Sequence, residues 1–327
     1  MNNALEINDL RVSFSSEGKR VEVVSGVSIS VPTGKIVGVV GESGCGKTVT
    51  ALSVMRLIPE PPGSIDTGRI IFDGADLLSL GDRDMRSVRG NRISMIFQEP
   101  ISSLNPVFTV GDQIGEALRT HLNISRKEEK GRVIELLKLV GIPAPERRMN
   151  NYPHEMSGGM SQRVMIAMAL ACSPEVLIAD EPTTALDVTI QAGILELIND
   201  IREKMGMAVL LITHDLGIIA EVADEVYVMY AGKIAEHAVT ENLFREPKHP
   251  YTVGLLNSIP DLRESKEKLN AIPGVVPSPG DYPPGCRFQD RCPLVIEKCR
   301  TEEPPLDEHA PGHYSACWRA HEVTKGI

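Results

Sequence analysis

Hydrophobic and polar residues alternate with regular periods from the start of the chain to about residue 235. The apolar runs at 36–40, 176–180 and 208–214 are short enough to be buried strands of a parallel sheet. Residues 188–204, between the last two runs, have the spacing of a helix. The early stretches LEINDLRVSF and VSGVSISVPTG instead alternate residue by residue, as antiparallel strands do. The pattern therefore predicts an α/β protein with an antiparallel part near its start.

Two regions depart from this alternation. From about 98 to 170 the chain is mostly helical in pattern, which predicts a helical subdomain inserted between sheet strands. After residue 240 proline becomes dense, which favours an irregular extension. At 327 residues the chain is also long for a single hydrophobic core. We therefore predict a main domain over 1–240 and a C-terminal extension over 241–327.

Composition narrows the classes of function. The chain is 42% apolar and 24% charged, as soluble globular proteins are. Its net charge of -10 argues against a nucleic-acid partner, which calls for a clustered basic surface. The first residues, MNNALEINDL, lack the basic start and apolar core of a signal peptide, and the apolar run at 164–172 is far too short to span a membrane. We expect a cytoplasmic protein.

The stretch GESGCGKT, residues 41–48, has three glycines and no bulky side chain. It matches the phosphate-loop pattern Gly41-x4-Gly46-Lys47-Thr48, and it lies after a predicted strand and before a helical pattern. Glycines let backbone N–H groups and the helix N-terminus face a phosphate. Lys47 would reach the terminal phosphates and Thr48 would bind Mg²⁺. The alternative is a chance glycine turn before a helix.

Acidic and imidazole side chains follow the later strands. Asp180 ends the apolar run VLIAD and Glu181 follows it, so that one carboxylate can hold Mg²⁺ through water while the other activates an attacking water. An acidic strand end without a catalytic role is the alternative. His214 ends the next strand and could contact the terminal phosphate, although taken alone it is better explained as a structural histidine.

A second glycine-containing segment, MSGGMSQR, opens another helical run. Ser157, Gly158 and Gly159 could present a separate anion-binding helix N-terminus, or could simply cap a helix. In combination, however, the motifs resemble those of the ABC ATPases over about residues 5 to 240. They occur in that family's order: Phe14, the phosphate loop, Gln98, Ser157-Gly158-Gly159, Asp180-Glu181, Ala185-Leu186-Asp187 and His214.

This resemblance implies a fold and a set of site residues. The fold would be an ABC-type P-loop ATPase with a RecA-like core, an antiparallel β subdomain and a helical subdomain. Glu181, His214 and Gln98 would be catalytic. Thr48, Gln98 and Asp180 would bind Mg²⁺. The residues expected to contact ATP, with Phe14 stacking on the adenine, are Phe14, Gly41, Ser43, Gly44, Cys45, Gly46, Lys47, Thr48, Val49, Ser157, Gly158, Gly159, Asp180 and Asp187.

The resemblance also implies partners. In that family each ATP lies between the phosphate loop of one subunit and the SGG segment of another, so the chain would pair with a sister ATPase subunit or with a second copy of itself. The resemblance implies that ATP hydrolysis powers transport through two separate transmembrane permease subunits, which would dock near Gln98. The competing class is a soluble ABC ATPase of translation or DNA repair. Members of those groups carry two ATPase halves or a long coiled-coil insertion, and this sequence has neither.

The C-terminal part narrows the resemblance further. Three segments resemble the ATP-binding subunits of dipeptide and oligopeptide permeases. They are HPYTVGLLNSIP, AIPGVVPSPGDYPPGCRF and the SGGM form of the SGG segment, which has Met160 where glutamine is frequent. That implies peptide import at the cytoplasmic face of the membrane, supplied indirectly by an extracytoplasmic substrate-binding protein. Importers of nickel, sugars or glycopeptides remain alternatives.

Four of the six cysteines crowd near the end, with the spacing Cys286-x5-Cys292-x6-Cys299-x17-Cys317. Clustered cysteines in a reducing compartment favour a metal over disulfides. The paired two-residue spacing of structural zinc sites is missing. Because some ATPases with this type of extension bind a [4Fe-4S] cluster, the resemblance predicts such a cluster here, with zinc or unliganded cysteines as alternatives.

Overall fold

The structure is a computed structural model that describes residues 2–16, 18–98, 103–184, 187–258 and 272–325. The chain divides into two compact units. The phosphate-loop unit comprises Leu5–Val31, Ile36–Leu78 and Leu211–Ile327. The carboxylate unit comprises Met1–Ala4, Pro32–Lys35 and Ser79–Leu210. The main-domain and extension boundaries at residue 240 remain a prediction.

The secondary structure is mixed. Its strands are β1 Asn3–Ser16, β2 Lys19–Pro32, β3 Ile36–Val40, β4 Gly63–Phe72, β5 Ala75–Asp76, β6 Ile93–Ile96, β7 Val176–Asp180, β8 Ala208–Thr213, β9 Glu225–Tyr230, β10 Lys233–Val239, β11 Asp307–Ala310 and β12 His313–Ser315. Its α-helices are α1 Lys47–Val54, α2 Asp82–Val88, α3 Val110–His121, α4 Arg126–Leu139, α5 Pro145–Arg148, α6 Gly158–Ala169, α7 Val188–Met205, α8 Leu216–Val222, α9 Thr240–Arg245, α10 Pro250–Asn257 and α11 Glu297–Thr301.

The phosphate-loop unit contains two sheet regions. One has the strand order β2-β1-β4-β5, and β1 runs antiparallel to β4. In the other, β3 pairs in parallel with β9, and β9 pairs antiparallel with β10. Every residue of β3 is buried, as the unbroken apolar run IVGVV predicts. The phosphate loop begins directly after this buried strand.

The carboxylate unit combines a parallel strand pair with helices. β6 runs parallel to β7, with Ile96 opposite Ala179 at the ends of the two strands. The predicted strands at 176–180 and 208–214 are confirmed as β7 and β8, and the helix predicted over 188–204 is α7. The stretch predicted to be helical contains α3 to α6 within its described part. Since β6 and β7 are parallel neighbours, the residues that follow them emerge at the same edge.

The C-terminal extension consists mostly of turns and short helices, but it also adds two strands. β11 and β12 pair antiparallel through a turn at Pro311 and Gly312, and β12 pairs with β10. Gly312 has a φ of 68°, which a type II turn requires after a proline. The high proline content therefore permits a strand pair where proline stands in the turn. In the part of the chain that the structure describes, no helix combines the length and the apolar character that crossing a bilayer demands.

Candidate functional site

Close packing around the phosphate loop requires its glycines. A Cβ atom on Gly41 would lie 2.2 Å from the carbonyl oxygen of Met229, so that no side chain fits there. Gly44 and Gly46 have φ values of 81° and 103°, in the region that favours glycine. The predicted glycine-dependent loop between β3 and α1 is therefore present, with a backbone that other residues would distort.

Lys47 is folded back over the loop. Its Nζ donates hydrogen bonds to the carbonyl oxygens of Gly41 at 2.7 Å and Glu42 at 3.1 Å, and the residue is only 6% exposed. Ser43, Gly44 and Thr48 are exposed, whereas Val49 is half-buried. The loop thus combines a buried ammonium group with an open surface at which backbone N–H groups can meet an anion.

Cys45 lies inside the loop and is buried. Burial raises the pKa of its thiol, which keeps the side chain neutral beside Lys47, at 3.8 Å from its Nζ. A phosphate could therefore use only the backbone of Cys45.

Phe14 and His214 also lie in the phosphate-loop unit. Phe14 is half-buried on β1, opposite Gly63 of β4, and a Cβ on Gly63 would approach its ring to 3.0 Å. His214 is exposed directly after β8. The next residue, Asp215, caps α8 by accepting hydrogen bonds from the backbone N–H groups of Gly217 and Ile218. Their proposed contacts with adenine and phosphate remain predictions.

In the carboxylate unit the structure brings Gln98 and Glu181 together. Gln98 Nε2 donates to Glu181 Oε2 at 2.9 Å, and the hydroxyl of Thr184 donates to the same oxygen at 2.8 Å. Glu181 has a φ of 46°, an uncommon conformation for a residue other than glycine. Asp180, at the end of β7, is buried. A carboxylate held by two donors has a fixed orientation, and its role as the general base remains a prediction.

Thr184 was not among the residues predicted for the site. The signal that could have identified it is its position three residues after Glu181, at which a threonine hydroxyl can reach back across a turn. Gln162, on α6, was also missed, and its side-chain amide donates to the carbonyl oxygen of Pro182. Gln162 therefore connects the helix of the SGG segment to the turn that carries Glu181.

The SGG segment begins α6 as predicted. Ser157 Oγ accepts a hydrogen bond from the backbone N–H of Met160 at 3.4 Å, and Ser157 and Gly158 are exposed. Gly159 is buried, and a Cβ there would lie 3.0 Å from Ile190 on α7. Asp187 caps α7 by accepting from the backbone N–H of Ile190. Ala185 and Leu186, which precede Asp187 in the predicted motif, lie outside the described residues.

The cysteine prediction is wrong. The four cysteines at the end of the chain line one small pocket, but among all described residues, which include these four, no three His, Cys, Asp or Glu side chains are grouped so that they could hold a metal ion. Burial raises the pKa of Cys286 to about 11 and that of Cys317 to about 12. The [4Fe-4S] cluster and its zinc alternative are therefore both withdrawn.

Comparisons with known proteins agree with this geometry. Residues 24–184 match the family model described as ABC transporter, and residues 235–299 match the one described as oligopeptide/dipeptide transporter, C-terminal region. A probable peptide ABC transporter ATP-binding protein of Sinorhizobium fredii is 56% identical over 320 residues, covering 98% of this chain and 96% of the relative. The oligopeptide transport ATP-binding protein AppD of Bacillus subtilis is 50% identical over 318 residues, covering 97% of each chain.

Solved structures match the fold. An ATP-binding cassette, determined as a dimer in a post-hydrolysis state with ADP and phosphate, superimposes with a TM-score of 0.65 at 25% identity. The match covers 72% of this chain and 98% of the cassette. Membership implies ATP and Mg²⁺ as ligands, and the predicted P-loop ATPase fold is confirmed. The chain belongs to the ABC transporter family, as an ATP-binding subunit with the C-terminal region of the oligopeptide/dipeptide transporters.

Proposed function

We propose that this chain hydrolyses ATP to power the import of dipeptides or oligopeptides through separate membrane subunits. The observation that carries the peptide class is the match of residues 235–299 to the C-terminal region of oligopeptide/dipeptide transporters. Relatives named for peptide or oligopeptide transport, similar along nearly the whole chain, support the same class. The importers of nickel, sugars or glycopeptides are left without a specific observation in their favour.

The phosphate loop would bind the triphosphate of ATP. Its crowded glycine at position 41 and its exposed face at Ser43, Gly44 and Thr48 fit a group that approaches the backbone closely. Lys47 would turn its ammonium group from the loop carbonyls to the terminal phosphates, while Thr48, Gln98 and Asp180 would hold Mg²⁺. When bound, Mg²⁺ neutralises charge on the phosphate oxygens.

Glu181 would then accept a proton from the attacking water. The hydrogen bonds from Gln98 and Thr184 leave its carboxylate with few orientations, so that little reorganisation is needed during the reaction. Both donors act on the same carboxylate oxygen, Oε2. His214 would contact the terminal phosphate at the end of β8, and Phe14 would stack on the adenine.

The chain would work as part of a dimer. Its sequence has one phosphate loop and one SGG segment, and Ser157 and Gly158 at the start of α6 are exposed, as residues that reach across to a neighbour's ATP would be. The related cassette structure is dimeric with ADP and phosphate. We propose a sister ATPase subunit as the partner, with pairing between two copies as the alternative that a mass measurement distinguishes.

Transport would require two transmembrane permease subunits, supplied indirectly by an extracytoplasmic binding protein, with this chain bound to them at the cytoplasmic face of the membrane. Val107 and Phe108 are 71% and 52% exposed, in the described segment 103–109 that precedes α3. The buried side chain of Gln113 donates to the carbonyl oxygens of Asn105 and Phe108, which holds this segment in place. Rigidly presented apolar side chains are suited to contact a permease subunit.

The test is peptide uptake by cells from which the chain has been deleted. We expect uptake of a radiolabelled tripeptide to be lost, restored by the wild-type chain and not restored by Glu181→Gln. Uptake of radiolabelled nickel and of a sugar, measured in the same cells, should not change. Peptide uptake that survives the deletion, together with a loss of nickel or sugar uptake, would reject the peptide assignment.

A further inference from the structure

The C-terminal extension holds one residue of the phosphate loop from two directions. The backbone N–H of Glu42 donates to the hydroxyl oxygen of Tyr251 at 2.8 Å. The side chain of Glu42 accepts two hydrogen bonds from Arg291, at 2.7 Å to Oε2 and 3.0 Å to Oε1. Backbone and side chain of the same loop residue are thus fixed by groups that lie more than two hundred residues along the chain.

Arg291 is itself rigidly placed. Its Nε donates to the carbonyl oxygen of Pro273 at 2.9 Å, and one terminal nitrogen also donates to that of Ile272 at 3.3 Å. The side chain is only 4% exposed. Burial alone would lower the pKa of this guanidinium, but its hydrogen bonds to Glu42 and Tyr230 raise it above its usual range. A partly buried, two-pronged arginine–carboxylate pair is specific in geometry and cannot be reproduced by lysine.

Tyr251 is anchored as firmly. Its ring is fully buried and packs at 4.6 Å from the ring of Tyr230 and 5.4 Å from that of Phe288, measured between centroids. Its backbone N–H donates to His249 Nδ1, and the backbone N–H of His249 donates to the buried carboxylate of Glu236. The hydroxyl that meets the phosphate loop therefore has a fixed position.

Glu42 also contacts the anion-binding part of the loop. Its carbonyl oxygen accepts hydrogen bonds from Lys47 Nζ at 3.1 Å and from the backbone N–H of Cys45 at 3.3 Å. A shift of Glu42 would consequently move the lysine and change the direction of the loop N–H groups. The loss of Arg291 would also leave the negative charge of Glu42 uncompensated in a loop that receives a triphosphate.

We propose that Arg291 and Tyr251 are positioning residues for ATP, which set the nucleotide affinity of the phosphate loop by holding Glu42. The inference rests on the proposed function, because it takes ATP binding at this loop as given. It assigns the extension a role in the ATPase cycle. By thermodynamic linkage, whatever displaces the extension weakens ATP binding, and ATP in turn stabilises the extension by the same factor.

The test is the dissociation constant of Mg-ATP for the purified full-length chain, with Arg291→Gln, Arg291→Lys, Glu42→Gln and the Arg291→Gln/Glu42→Gln double variant. We expect Arg291→Gln to weaken binding about tenfold, an effect of ~1.4 kcal/mol, and Arg291→Lys to give no rescue. Glu42→Gln alone should weaken binding about threefold. The double variant should lose less than the product of the two single effects, because both remove one interaction.

Arg319→Gln is the matched control. It makes the same change in the same extension, but Arg319 bonds to Glu322 and to the carbonyl oxygen of Leu294 rather than to the loop. We expect its ATP affinity to stay within about twofold of the wild type. In steady-state hydrolysis with the partner subunits, Arg291→Gln should raise KM for ATP and leave kcat within about threefold of the wild type. A general loss of folded protein does not change KM and kcat in this way.

The outcomes separate the two proposals. If the wild type binds ATP and a folded Arg291→Gln binds it equally well, the positioning role is rejected and the proposed function stands. If Arg291→Gln does not fold, the test depends on Glu42→Gln, because Glu42 is partly exposed. Unchanged ATP affinity in Glu42→Gln would also reject the positioning role. If neither the wild type nor Arg319→Gln binds ATP, the proposed function itself fails.

Discussion

Gln98 and Glu181 are joined by a hydrogen bond of 2.9 Å between Nε2 of the amide and Oε2 of the carboxylate. The two residues lie 83 positions apart in sequence and follow two parallel strands, β6 and β7, whose ends lie side by side. The contact thus results from sheet topology. It places the proposed Mg²⁺ ligand against the proposed general base before any substrate arrives.

The second donor to Glu181 provides the first prediction. Thr184→Val keeps the shape of the side chain but removes the hydroxyl that holds Oε2, so the carboxylate gains freedom. We expect kcat for ATP hydrolysis to fall about tenfold, with KM unchanged, when phosphate release is measured with the partner subunits. Thr120→Val is the control, since the Thr120 hydroxyl donates only locally, to the carbonyl oxygen of Glu116. Equal kcat values for the two variants would contradict the orienting role.

Lys47 provides the second prediction. Lys47→Ala removes a buried ammonium group from the phosphate loop, and a charge-assisted hydrogen bond contributes about 2 kcal/mol. We therefore expect ATP affinity to fall about thirtyfold in equilibrium dialysis. Lys19→Ala, which removes an exposed lysine at the start of β2, should bind ATP as the wild type does. Unchanged affinity in Lys47→Ala would mean that the loop does not bind the triphosphate.

The two glycines of the SGG segment differ in the space around them. A Cβ on Gly159 would lie 3.0 Å from Ile190, whereas one on Gly158 would meet no atom within 4 Å. We expect Gly159→Val to destabilise the protein by about 2 kcal/mol and to lower its melting temperature by several degrees. Gly158→Ala should leave the melting temperature unchanged. Equal melting temperatures for the two variants would contradict the packing of α6 against α7.

His249 predicts a dependence of stability on pH. Its complete burial lowers its pKa from about 6.5 to about 4, so the folded protein keeps it neutral while the unfolded chain protonates it. The unfolded state then binds more protons between pH 6.5 and pH 4, and stability falls as pH decreases through that window, by at most about 3 kcal/mol. Above pH 6.5 this contribution is fully present.

The measurement is the urea midpoint of the wild type and of His249→Asn at pH 7 and pH 5. Asparagine can still cap α10, where His249 Nδ1 accepts from the backbone N–H of Tyr251, but it does not titrate. We expect the variant to lose less stability on acidification than the wild type. His154→Asn, at an exposed site, should behave as the wild type. Identical losses in all three proteins would show that His249 is not the titrating group.

Local features of the fold were predictable. The continuous apolar runs of β3, β7 and β8 have the length and burial of central strands, and Gly41, Gly46 and Lys47 have the spacing that a phosphate loop needs. These properties depend on neighbours in sequence. The strand pair β11 and β12 was not predicted, because the high proline content indicated an irregular extension. Pro311 and Gly312 are instead favourable in the turn that joins the two strands.

Contacts that depend on tertiary placement were not predictable. Glu42 occupies a variable position of the loop, and nothing near it in sequence indicates that Arg291, 249 residues away, holds it. The prediction of a metal site at the cysteines was wrong for a related reason. Their crowding near the end of the chain and the resemblance suggested a metal site, but neither specifies the positions of the sulfur atoms or the burial that raises the pKa of Cys286 and Cys317.

The most direct test of the central claim is ATP binding and phosphate release by Glu181→Gln, purified with its partner subunits. Glutamine preserves the size of the side chain but cannot accept the proton of the attacking water. We predict ATP affinity within about twofold of the wild type and turnover at least ~100-fold lower. Turnover close to that of the wild type would contradict the assignment of Glu181 as the base that drives transport.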